Sequence, residues 1–158
     1  MERVALSSAT DFAGWRAAGR DLLARQVPPE RVEWTAGADL GGIFAEGGGE
    51  AAARPRAGEA TRLRVPRAFI ELASTVILHG DPQRFALLYR MLWRLRDEHA
   101  LLSVAVDPDV ARANSMAKAV RDDMHKMRAF VRFREIDAGG PFYIAWFEPS
   151  HHLSLIHI

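Results

Sequence analysis

The chain contains no cysteine. That excludes a disulfide framework, a thiolate nucleophile and any cysteine-ligated metal centre within these 158 residues. Lysine is scarce: Lys118 and Lys126 are the only two, and arginine carries the rest of the positive charge. Arginine, alanine and glycine are frequent together, which reads first as coding bias. No apolar run approaches the roughly 20 residues needed to span a bilayer. The opening MERVALSSATDF also lacks the apolar core of a signal peptide. The expectation is a cytoplasmic protein without a membrane partner. A phosphate loop is missing too. Gly47-Gly48-Gly49 is not followed by the Lys-Ser/Thr such a loop needs, and no Gly-rich fingerprint links a strand to a helix.

What is present suffices for one domain with a real core, since 49% of the residues are apolar. Arg3 to Leu6 reads as a first strand. Thr10 or Asp11 can cap a helix running to about Arg25, with Phe12, Trp15, Leu22 and Leu23 inward, ended by Pro28-Pro29. Arg31 to Thr35 alternates and reads as a second strand. Residues 36–60 are rich in Gly, Ala, Glu and Pro and are expected to form a long flexible loop or insertion. A brief strand is expected at Leu63–Val65. A helix should start at Pro66, bury Phe69, Ile70, Ala73, Val76 and Ile77, and stop at Gly80. The next, from Pro82 to about His99, is apolar over a wide arc and should be the central core helix. Its Arg84, Arg90, Arg94 and Arg96 do not share a face and read as solvated or ion-paired.

The strongest signal lies between Asp107 and Ser150. Asp107-Pro108-Asp109 is a helix start: a side-chain cap, a proline whose missing N–H costs nothing there, and an acid for the helix dipole. Met116, Val120, Met124, Met127 and Val131 fall on one apolar arc. Lys118, Arg121, His125, Arg128 and Arg132 are spaced 3, 4, 3, 4 and form a basic stripe beside it, provided the helix reaches that far. From Arg112 to Arg134 seven Lys or Arg face two Asp, a local charge of about +5. The whole chain is only +1, so the charge is segregated. After Ala129 the pattern alternates. Residues 137–141, DAGGP, carry turn chemistry, and Phe142 to Phe147 reads as a return strand. The fold expectation is therefore α+β, with about four main helices packed on a small sheet that includes this C-terminal hairpin.

The motifs PRAFIELA, DPQRFALLYRMLWRL, KAVRDDMHKMRAFVRFREI and AWFEPSHH resemble the domain of unknown function that precedes the glycosylase domain in UdgX-type uracil-DNA glycosylase and uracil-DNA-binding proteins. The similarity spans nearly all of residues 2–152, taken as one domain. Related stand-alone versions accompany a radical-SAM protein and are described as DNA-metabolism or DNA-repair proteins. The resemblance implies a role around uracil-containing DNA, with a linked glycosylase domain or a radical-SAM protein as partner. It supplies no activity for this domain. The ending Leu153–Ile158, LSLIHI, reads as a translated sequencing adapter, with a short native strand as the alternative. On that reading the uracil pocket, and any iron–sulfur cluster, belong to a missing glycosylase half.

Three functions remain to be separated. In the first, Lys118, Arg121, His125, Arg128, Arg132 and Arg134 contact DNA phosphates, since five or six cations at this pitch fit a polyanion. In the second, the same surface docks on an acidic face of the glycosylase domain or the radical-SAM partner. The third is an unrecognised enzyme. For it the candidates are thin: Glu135 and Glu148 as paired carboxylates, Ser115 and Ser150 without an evident base, and His125 with His151-His152 as metal ligands. No catalytic residue, metal ligand or cofactor is assigned to the fragment.

Overall fold

The computed structural model describes residues 1–37, 65–130, 132–137 and 141–146, with the backbone alone from residue 130 onward. The chain opens as strand, helix, strand. β1 (Glu2–Leu6) pairs in parallel with β2 (Val32–Ala36), Glu2 opposite Val32 and Leu6 opposite Ala36. The link between them is α1 (Phe12–Ala24), as a parallel pair requires a crossover. Asp11 caps α1, its Oδ1 accepting from the Gly14 N–H at 2.7 Å. The helix stops before the prolines. Gln26 adopts φ 54°, and the Val27 N–H turns back to the Leu22 carbonyl at 2.9 Å.

Three further helices complete the core: α2 (Arg67–Val76), α3 (Arg84–Arg94) and α4 (Pro108–Phe130). α3 lies at the centre, in contact with α1, β2 and α4, while α4 also packs on α2. Its Phe85, Leu87, Leu88, Tyr89, Met91 and Leu92 are all buried. Residues this apolar at i, i+3 and i+4 and on the intervening positions cover most of the helix circumference, so α3 meets partners on several sides. Trp15, Trp34, Phe69, Phe85 and Tyr89 form a chain of aromatic contacts where α1, β2, α2 and α3 converge. Tyr89 donates to the Val27 carbonyl at 2.6 Å, and burial pushes its phenol up to about 12.

Several expectations shift. α3 begins two residues after Pro82, because the Asp81 carboxylate first accepts from the Gln83 N–H at 2.8 Å and closes a turn. It ends at Arg94 rather than near His99. Ile70 is half-buried rather than buried. Arg84 is not solvated: it is buried and donates to the carbonyls of Ile77, Asp81 and Ala9, stacked over the Phe85 ring. Its planar fork thus satisfies the Ile77 carbonyl at the end of α2 and two carbonyls outside the helices.

The α+β class holds, with four helices and a small sheet among the described residues. The composition of that sheet is corrected. The strands packed with the helices are the parallel N-terminal pair, and the C-terminal strands do not join it. β3 (Arg132–Asp137) and β4 (Pro141–Trp146) make a separate antiparallel pair, Arg132 opposite Trp146 and Asp137 opposite Pro141. The loop expected over residues 36–60 falls almost wholly outside the described residues. So do Leu63 and Arg64 of the brief strand, most of the turn at 137–141, and the tail at 153–158. Val65 itself lies outside any strand.

Candidate nucleic-acid interface

The stripe stands on α4, so its geometry begins with what fixes that helix. Asp107 Oδ1 accepts from the backbone N–H groups of Asp109 and Val110, at 3.0 and 3.1 Å. Pro108 occupies the first helical position and Asp109 the first turn. Across the helix pair, Arg94 of α3 donates to Asp107 at 2.7 Å, Asp109 at 3.2 Å and Glu98 at 2.8 Å. Arg90 meets Asp109 at 2.6 Å, and Arg112 reaches back to Asp81 at 2.7 Å. The Arg94 guanidinium holds the Asp107 carboxyl down at about 2. Arg90 likewise lowers Asp109, and Arg94 lowers Glu98. Burial pushes the Asp81 carboxyl up, but bonds from Arg112 and the Gln83 N–H bring it below its usual range.

One face of α4 carries Val110, Ala113, Met116, Ala117 and Val120 into the core, and Met124 and Met127 continue it half-buried. This matches the apolar arc read from the sequence as far as it is described. Asp123 is an addition no apolar pattern announces: it is fully buried, with the Lys126 ammonium 4.0 Å away.

The shoulder beside that face carries the basic stripe. Lys118, Arg121, His125 and Arg128 are all exposed. They are not equally free. Lys118 donates to Asp122 at 2.5 Å and lowers that carboxyl's pKa. Among the described residues, no acid lies within ion-pairing distance of Arg121, His125 or Arg128. The stripe is also shorter than expected. α4 ends at Phe130, so Arg132 stands on β3 and cannot extend a helical row. Arg134 is two positions further along β3, opposite Ile144. The seven cations behind the local charge thus separate. Arg112, Lys118 and Lys126 stand beside acids, Arg121 and Arg128 stand clear on α4, and Arg132 and Arg134 belong to a strand whose side chains are not described.

The pairing of Lys118 with Asp122 was readable from the sequence, since residues four apart on a helix are neighbours. The Arg112–Asp81 bridge was not, because 31 residues separate the partners.

The catalytic alternatives gain no geometry. Among the described residues no three His, Asp or Glu side chains are grouped to hold a metal ion. Ser115 is exposed on α4, and Glu135 takes a register position opposite Tyr143. Glu148, Ser150, His151 and His152 lie outside the described residues. An open cleft of about 460 Å³ is lined by Met1, Glu2, Arg25, Gln26, Val27, Pro28 and Arg31. It holds no nucleophile beside a base, and Arg25 is bound to Glu2 and Asp21. No helix among the described residues is long and apolar enough to cross a membrane.

Residues 82–157 match a family model described as a domain of unknown function, DUF4130. The match takes in α3, α4 and the β3–β4 pair and leaves the strand–helix–strand opening outside it. Neither among curated proteins nor among solved structures does anything match the chain.

Proposed function

We propose that this chain is a non-catalytic DNA-binding accessory domain of a uracil-DNA repair protein, contacting phosphates through the exposed face of α4. The observation that carries the reading is the row of Arg121, His125 and Arg128, exposed and without acidic partners among the described residues. Solvated guanidinium groups held on a rigid helix bind a polyanion by releasing its condensed counterions. Arg132 and Arg134, next in the chain, would extend the same contact. The uracil connection is supported by the resemblance of PRAFIELA, KAVRDDMHKMRAFVRFREI and AWFEPSHH to the UdgX-associated domain. A linked glycosylase domain, or a radical-SAM protein, would then act on the base while this domain holds the backbone.

The test is fluorescence anisotropy of the full chain with labelled DNA, with and without uracil, at several salt concentrations. Arg121 and Arg128 alone predict a log–log salt slope of about −1.4 to −1.8, and each of Arg132 and Arg134 that joins adds about 0.7 to 0.9. Replacing Arg121 and Arg128 by Gln together should remove most of the binding, with the circular dichroism spectrum unchanged. Undiminished affinity in that variant would sink the reading.

Docking on a protein partner is favoured by a different feature. Val104 and Val106 are 44% and 90% exposed in the segment leading to Asp107, at the end of α4 remote from the free cations. An apolar tip of this kind suits a protein contact better than a phosphate. On this reading the chain co-purifies with the glycosylase domain or the radical-SAM protein, binds no DNA alone, and loses the partner on Val106→Asp.

A further inference from the structure

We infer that, if the DNA-binding reading holds, α4 grips one strand of the phosphodiester backbone over about three phosphates and does not read bases or bridge a groove. The inference rests on that reading and on the placement of the free cations. At about 100° and 1.5 Å per residue, Arg121, His125 and Arg128 fall within roughly a 60° arc and span about 10.5 Å along the axis. They stand in single file. On each strand of a duplex the phosphates advance about 3.4 Å along the axis per nucleotide, so the file covers about three nucleotide steps of one strand.

What flanks the file argues against a second row. Turning one way from the file, past Lys118, comes Asp122, a carboxylate that repels phosphate even while bonded to Lys118, and the cation beyond it, Lys126, stands 4.0 Å from Asp123. Turning the other way, Met124 and Met127 are half-buried and begin the packed face. To straddle a groove, a protein must present cations to two banks of phosphates, about 6 Å apart across the minor groove or about 12 Å across the major. α4 presents one bank. Between Arg121 and Arg128 the sequence RDDMHKMR also has no Phe, Tyr or Trp on which a base could stack. Along this file α4 therefore meets backbone charge alone. A contact this small binds weakly and serves a protein whose other domain, or partner, raises the effective concentration of DNA.

The experiment is a length series of oligothymidylates from two to twelve nucleotides, beside a twelve-base-pair duplex, titrated into the full chain at low salt. Affinity should climb steeply up to about four nucleotides and then rise only with the number of overlapping registers. Duplex and single strand of equal length should agree within about tenfold, and between 50 and 200 mM salt the α4 contact should weaken about 7- to 12-fold in both. Oligouridylates should bind like oligothymidylates. Arg67→Gln, on exposed α2 surface, should change nothing, whereas Arg121→Gln with Arg128→Gln should flatten the series. A steep climb continuing to ten nucleotides, or binding confined to the duplex, overturns the single-strand inference while leaving DNA binding intact. No binding at any length overturns the parent reading as well.

Discussion

The first turns of α4 and its last turns carry similar charged residues to different ends. At the start Asp107 and Asp109 are engaged by Arg90 and Arg94 of α3, and Arg112 by Asp81, so every charge there ties one element to another. Toward the end Arg121, His125 and Arg128 face solvent and form no ion pair among the described residues. A cation's role is set by what lies within about 4 Å of it, and net charge along the sequence does not reveal that. The clasped half holds the helix on the core. The open half can afterwards present its cations at a fixed pitch without paying to order them.

The largest effect should come from removing the support under both halves. Leu88→Ala on α3, at a fully buried position, should cost about 2–5 kcal/mol of stability by urea unfolding. Arg94→Ala should cost less, roughly 1–2 kcal/mol, because the guanidinium serves three acids yet stays partly solvated. If the halves are separable, both variants still bind DNA wherever they remain folded. Acid should act on the clasped half selectively. Asp81, Asp107 and Asp109 all have folded pKa values below their usual range. Their contribution is therefore complete above about pH 4 and is lost as pH falls toward about 2, the folded value of Asp107. Urea midpoints measured across that window should fall, and Asp107→Asn should flatten the slope. An unchanged slope in that variant would mean the clasp contributes no pH-linked stability.

Local chemistry was the legible part of this fold. Asp11 and Asp107-Pro108 announce their helices because a cap acts within three residues, and the apolar arc of α4 announces its core face because periodicity is a property of the helix alone. Long-range pairing was not legible. Nothing in Arg3 to Leu6 says that its partner runs parallel, and nothing in the alternation after Ala129 says that its strands form a sheet of their own. The same divide runs through the candidate interface. Lys118 looked like an equal member of the stripe, although Asp122 stood four residues on. Asp123 was only one of two acids counted against the cations, yet the helix turns it into the packed side, where its charge cannot serve the outer face.

The smallest expected change in stability goes with a gain in binding. Asp122→Asn keeps the size of the side chain and removes the carboxylate that holds Lys118 and borders the cation file. An exposed pair four residues apart contributes little to folding, so the melting temperature should scarcely move. Freed, Lys118 would stand one turn before Arg121 and lengthen the row by about 4.5 Å. The salt slope should then steepen by about 0.7 to 0.9, the increment of one further phosphate. Lys118→Gln should leave the wild-type slope unchanged, because that ammonium is already neutralised by Asp122. The opposite pattern, with Lys118→Gln weakening binding and Asp122→Asn doing nothing, would mean that the ion pair opens in the complex, and that pairing in the free protein does not decide which cations of α4 are available.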